Sequence, residues 1–215
     1  RNVDRFVFWL AGRAVTREKA VEWKEHLVSC RYAPATINGM LSALNSFFSY
    51  FGWQECRVKA LRVQRRAFRD PSRELTREEY EHLIETARLL GRERLALVLE
   101  TIGATGVRVS EVRYLTVEAA RSGRAEISLK GKIRTILLPG KLCRKLLKYA
   151  RKEKIASGEV FRTGGGKSLS RKQIWSEMKN LCHHAGVEPS KVFPHNLRHL
   201  FATVFYRACG DIVKL

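Results

Sequence analysis

The sequence predicts a mainly α protein with a small antiparallel β-sheet, divided into an N-terminal helical domain and a larger α+β domain. Three observations carry that reading. Apolar residues recur at three- and four-residue spacing along most of the chain. Strand-type alternation stands out at 125–138, around a Lys130-Gly131-Lys132 turn. Residues 57–73 hold seven basic side chains (Arg57, Lys59, Arg62, Arg65, Arg66, Arg69, Arg73) against one acid, Asp70, as an exposed linker does. The expected boundaries are a helical domain over 1–60, a basic linker over 61–73 and a second domain over 74–215.

The first domain should be a small bundle. Val3, Phe6, Val7, Trp9 and Leu10 have helical spacing, and Gly12 ends that helix. Thr16 is placed to cap a second helix over 17–28, with Val21, Trp23, Leu27 and Val28. Ala33-Pro34-Ala35-Thr36 leads into a third, lined by Ile37, Leu41, Leu44, Phe47, Phe48 and Phe51 and stopped by Gly52.

In the second domain, Thr76 and Glu79 have capping-box spacing and open a helix. The run Leu95 to Ile102 is apolar nearly all round, as a buried central helix would be, with Gly103 and Gly106 expected to break it. The hairpin follows, Gly131 permitting the positive φ of its turn. After it come a basic amphipathic helix at 141–154 and a Gly164-Gly165-Gly166 loop. Ser170 and Gln173 form another capping box, for a helix ending near Gly186, and Pro194 suits the first position of a last helix. Arg1 starts inside a helical pattern and Asp211-Ile212-Val213-Lys214-Leu215 reads as an opening turn, so the chain is expected to be a fragment.

Composition narrows the function. The 215 residues hold 41 Lys+Arg against 21 Asp+Glu, a formal net charge of +20, and both halves share the excess. Such a surplus repels itself unless a polyanion is the partner, and nucleic acid is the expected one. Five widely spaced cysteines without a C-x-x-C pair exclude a disulfide framework or zinc ribbon. Cys182-His183-His184 lacks further ligands at zinc spacing, so no metal is expected there. The apolar runs fall short of the ~20 residues a membrane span needs.

Three stretches could carry chemistry. In Thr105-Gly106-Val107-Arg108-Val109-Ser110-Glu111 an arginine sits on a tight turn, with Ser110 expected to cap the next helix. Arg108 there either meets an anion at a helix N-terminus or neutralises Glu111 as a structural pair. In Pro194-His195-Asn196-Leu197-Arg198-His199, positions 195, 198 and 199 are expected to share a helix face, as a site or as an ordinary surface pair. The hairpin-tip lysine is mobile enough to reach a groove, or is simply solvated. One reaction would use all three. Attack on a phosphodiester places extra negative charge on the non-bridging oxygens of a five-coordinate phosphorus. Two guanidiniums can clamp those oxygens, and Lys or His can protonate the leaving 5′-oxygen. The sequence offers no carboxylate cluster for Mg²⁺.

T-G-x-R-x-S-E, a lysine-bearing turn and H-x-L-R-H, in this order, resemble the tyrosine recombinase (phage integrase) family over nearly the whole chain. The resemblance implies a SAM-like, core-binding first domain and a catalytic second one, together forming a C-shaped clamp on DNA. It implies that Arg108 and Arg198 hold the phosphate, that His195 is the acid/base and that Glu111 braces the site. Lys130 would protonate the 5′-oxygen, with Lys132 as the alternative. No metal or ATP is implied, because a 3′-phosphotyrosine conserves the bond energy. The family's nucleophilic tyrosine lies beyond the H-x-x-R helix, and these residues stop before it. Tyr206 is read as core or groove lining. This chain is therefore expected to bind DNA without cutting it.

Thr36 and Asn38 on the third helix, and Arg171, Lys172 and Gln173 at the N-terminus of another, are the expected groove contacts. Arg62, Arg65, Arg66 and Arg69 of the linker, and Lys132 and Arg134 of the hairpin, are expected on DNA too. The expected partners are a double-stranded recombination site and further copies of the protein, a tetramer for the complete enzyme. A cytoplasmic, nucleoid-associated protein of a bacterium, phage or mobile element would fit. A non-catalytic DNA-binding regulator on the same scaffold is the alternative.

Overall fold

The structure, a computed structural model, describes residues 1–63, 71–129 and 132–210. The chain divides into two compact units, Arg1–Phe68 and Arg69–Leu215, each with its own core.

In the first unit, α1 (Asn2–Leu10), α2 (Arg17–Ser29) and α3 (Pro34–Tyr50) pack together. Thr16 caps α2 by accepting from the Lys19 amide, and Pro34 opens α3, where a missing N–H costs nothing. Phe6, Trp23, Leu27, Ile37, Leu41, Leu44 and Phe48 fill the centre, and Phe6 meets Trp23 and Phe48 edge-on at 5.9 and 6.0 Å. Each such side chain is worth about 1.5–3 kcal/mol on burial.

Two asparagines then fasten the following segment to α3. Asn45 donates to Val58 O at 2.8 Å and accepts from Val58 N at 3.0 Å. Asn38 does the same with Leu61, at 2.9 and 2.7 Å. Seven helical residues rise roughly 10.5 Å, and three extended residues span roughly 10 Å, so the two clamps match in pitch. The amide of Asn38, expected at a groove, is engaged on both sides by the Leu61 backbone. Thr36 is exposed on the first turn of α3.

In the second unit, α4 (Arg77–Leu89) begins with the expected box, Glu79 N donating to Thr76 Oγ1 and Thr76 N to Glu79 Oε2. Helix α5 (Glu93–Thr105) is the central element, buried at Leu95, Ala96, Leu97, Val98, Leu99, Thr101 and Ile102. Gly103 does not break it. A Cβ at Gly103 would lie 2.3 Å from the hydroxyl of Tyr80, which donates to Leu99 O, so this glycine admits a close neighbour. The helix ends one turn later, at Gly106 in the left-handed conformation (φ 60°).

A 3-10 turn (Val109–Tyr114) and α6 (Val117–Ser122) lead to the hairpin, β1 (Arg124–Leu129) and β2 (Lys132–Leu137), paired antiparallel from Arg124↔Leu137 to Leu129↔Lys132. Ala125, Ile127 and Ile136 face the core, while Ile133 and Leu137 stand on the outer face. Helix α7 (Gly140–Lys152) buries Leu142, Leu146 and Tyr149, and α8 (Arg171–Ala185) opens with the Ser170–Gln173 box. Helix α9 (Pro194–Cys209) starts at Pro194 as expected. Its far side is not core, however. Only Asn196 and Leu197 are buried among its described residues, and Val204 and Tyr206 are about half exposed. Tyr206 is therefore not a core residue.

Candidate active site and nucleic-acid interface

The left-handed turn at Gly106 delivers Arg108 to the surface immediately before the 3-10 turn. Ser110 does not cap that turn. Arg108 occupies the capping position, and its N–H donates to the Glu111 carboxylate at 2.9 Å. Arg108 Nη1 donates to the other Glu111 oxygen, also at 2.9 Å. From across the hairpin, Arg134 Nη2 reaches Glu111 Oε2 at 2.5 Å. Arg134 pairs with Ile127 in register and so lies on the core-facing side of the sheet, which is why it finds a buried acid. Arg134, expected on DNA, here braces Glu111 while staying partly exposed.

Burial pushes the Glu111 carboxyl up, but the Arg108 N–H and guanidinium and the positive charges of Arg134 and Arg108 outweigh it and hold the group below its ordinary value. Glu111 is 1% exposed, whereas Arg108 and Arg134 are 57% and 43% exposed, so the acid is fixed and both bases keep faces toward water. Arg108 is a structural partner of Glu111 and still presents part of its guanidinium to water.

Arg198 completes the group from α9. Its Nη1 donates to Gly106 O, tying the helix to the turn that carries Arg108. Burial, and then the like charges of Arg108 and Arg134, push its guanidinium below its ordinary value, with Glu111 opposing. Two guanidiniums, Arg108 and Arg134, thus pair with one carboxylate, and a third, Arg198, lies near them on the Gly106 carbonyl. Arg108, Arg198 and the exposed His195 line one pocket of about 870 Å³, together with Arg171 and Lys172. The N-termini of α8 and α9 both open on it, and no side chain caps α9. Free N–H groups and helix dipoles favour an anion there. Basic residues in a helix's first turn oppose that dipole, so Arg171 and Lys172 fit best with an anion between them.

Other expectations fare differently. His199 does not line the pocket of His195 and Arg198; about 100° round the helix from Arg198, it lines a groove with Glu74, Arg77 and Thr203. Gln173 uses its amide oxygen to accept from Ser170 N and stands off the pocket. Lys130 lies outside the described residues, as do Arg65, Arg66 and Arg69. Of Lys132 only the backbone is described, paired with Leu129. Arg62 is exposed next to the clamped Leu61. Among the described residues, no three His, Cys, Asp or Glu side chains gather as metal ligands would, and no helix is long and apolar enough to cross a membrane. Trp175 and Lys179 line the pocket without having been expected. The available signal was a tryptophan set off the Ile174–Met178–Leu181 stripe that buries α8.

Comparison with known proteins places the chain in a family. The profile of the Phage integrase family matches residues 73–215. The tyrosine recombinase XerA of Pyrococcus furiosus is 32% identical over 200 residues, covering 89% of this chain and 68% of that protein. The tyrosine recombinase XerC of Roseiflexus castenholzii is 29% identical, covering 98% of this chain and 74% of its own. Among solved structures, a XerH site-specific recombinase bound to difH substrate shares the fold with a TM-score of 0.71 at 22% identity, covering 94% of this chain and 63% of that one. The Tn1549 transposon integrase in complex with transposon right end DNA gives 0.70 at 16% identity, over 98% and 81%. On the profile match, the extent of the XerA likeness and the shared helical architecture with its two-stranded sheet, this chain belongs to the phage integrase family of tyrosine recombinases.

Proposed function

We propose that the chain is the DNA-holding and phosphate-activating part of a site-specific recombinase. The observation that carries this is the positive charge gathered at one pocket: Arg108, Arg171, Lys172 and Arg198 line it with like charges facing one another, while the nearby carboxylate, Glu111, is buried and already paired with Arg108 and Arg134. A phosphate entering the pocket relieves that repulsion. A five-coordinate phosphorus, with more charge on its equatorial oxygens, relieves it further, which is the differential binding that lowers a barrier. Arg108 and Arg198 hold the non-bridging oxygens, and Glu111 keeps Arg108 aimed without competing for the pocket, because it is buried behind it. His195, exposed at the N-terminus of α9, serves as acid/base. A hairpin-tip lysine, Lys130 or Lys132, protonates the leaving 5′-oxygen.

In this reading, affinity comes from phosphate contacts by Arg171, Lys172 and the linker arginines and falls steeply with salt. No tyrosine of these 215 residues is assigned as the nucleophile in this reading. A regulator that only binds DNA would need no such charge surplus around a pocket. The test is Arg198→Ala in the complete enzyme, assayed for covalent protein–DNA adduct on a recombination-site duplex. Adduct is expected to vanish while site binding stays within severalfold; an Arg198→Ala protein that still cleaves overturns the assignment.

A further inference from the structure

Trp175 is the one large apolar side chain on α8 that the fold leaves in the open, half exposed in the pocket it shares with Arg108, Arg171, Lys172, His195 and Arg198, with Val109, Phe193 and Pro194 also on the wall. Helical spacing accounts for its position. Ile174, Met178, Leu181, Cys182 and Ala185 turn inward, whereas Lys172, Trp175 and Lys179 follow one another at three and four residues on the pocket side. The ring is also held. Lys179 Nζ lies 5.5 Å from its centroid and is itself anchored on the carbonyls of Pro189 and Val192. The indole N–H has no protein acceptor among the described residues.

We propose that Trp175 reads a base. With the N-terminal end of α8 in the major groove, its ring packs against the 5-methyl group of a thymine near the scissile phosphate. This rests on the DNA-binding reading above. In the major groove each base pair presents donors and acceptors, and the thymine methyl is the apolar feature among them. Arg171 and Lys172, at the tip of α8, suit phosphates or polar base edges; a rigid aromatic face one turn deeper suits the methyl. Proximity to Arg108 and Arg198 places that thymine close to the phosphate they hold.

The test begins with a duplex site selected by this chain from a random-sequence pool. Each thymine of that site is then replaced by deoxyuridine, one at a time, and binding is measured. One position is expected to lose about fourfold, the equivalent of burying one methyl-sized group. In Trp175→Ala the parent site should weaken by at least as much and the scan become flat, while Trp175→Phe keeps part of the sensitivity. The salt slope of Trp175→Ala should match the parent, since no phosphate contact is lost, and circular dichroism checks that the variant is folded. A flat scan in the parent, a thymine penalty that survives Trp175→Ala, or an equal loss on every sequence (as packing against deoxyribose gives) overturns the proposal while leaving DNA binding intact. Failure to select any duplex overturns both.

Discussion

Helices α5 and α9 pack against one another and draw on similar apolar residues, yet only α5 is enclosed. The difference lies in their neighbours. Helix α5 meets α4, α7, α8 and α9, and every turn of it finds a partner. Helix α9 lies mainly on α5, so past Leu197 its apolar side chains are only partly covered. Phe201, Phe205 and Leu137 instead border an open groove of about 550 Å³. Composition alone therefore does not decide burial; the number of packing partners does. The enclosed helix sets the position of the Gly106 turn and hence of Arg108, while the open one contributes Arg198 and His195 from its first two turns.

The sharpest way to break this contrast is Leu99→Ala in α5. Leu99 is fully buried, and the substitution should cost about 2–5 kcal/mol in urea denaturation. A cost below about 1 kcal/mol would mean that α5 is not the enclosed centre. Glu111→Gln comes next, because it leaves Arg108 and Arg134 facing each other without their acid; about 1–3 kcal/mol is expected near neutral pH. Here the sign of the pH dependence is fixed. The folded carboxyl sits below its ordinary value, so its contribution is full above the usual carboxylate range and is lost as pH falls through the lowered value. The gap between parent and Glu111→Gln should close in acid, and a gap that widens there would contradict the pairing. Val204→Ser on α9 should be smallest, within about 0.5 kcal/mol. A larger loss would mean that this face of α9 is covered in solution.

The sequence was most legible where the signal was local. Thr76 with Glu79, Ser170 with Gln173 and Pro194 at N1 each set a helix start within a few residues, and the structure keeps all three. Long-range partners were not legible. Arg134 finds Glu111 from 23 residues away and Asn38 finds Leu61 from 23, and neither pairing leaves a local pattern. Gly103 misled for the same reason. As punctuation it marks a helix end, but Tyr80, brought in by α4, makes it a point of close approach. Arg108, Glu111, Arg198 and His195 were singled out because their order and spacing resemble a known family, and the fold brings Arg108, His195 and Arg198 to one pocket. Trp175 was missed because a lone tryptophan reads as core until its face is known.

The asparagine clamp on α3 has a chemical consequence as well. Asn38 is followed by Gly39, an arrangement open to deamidation because the unhindered glycine N–H can attack the side-chain amide and close a succinimide. That attack needs backbone freedom which a helix denies, and a side-chain amide free to turn, whereas here both ends of the amide are engaged by Leu61. Conversion to aspartate would leave an oxygen facing the Leu61 carbonyl where an N–H had donated, so a single lesion of age would loosen the segment at the point where it leaves the first helical unit. The fold thus shelters a labile bond with the same two contacts by which it sets the path of the chain.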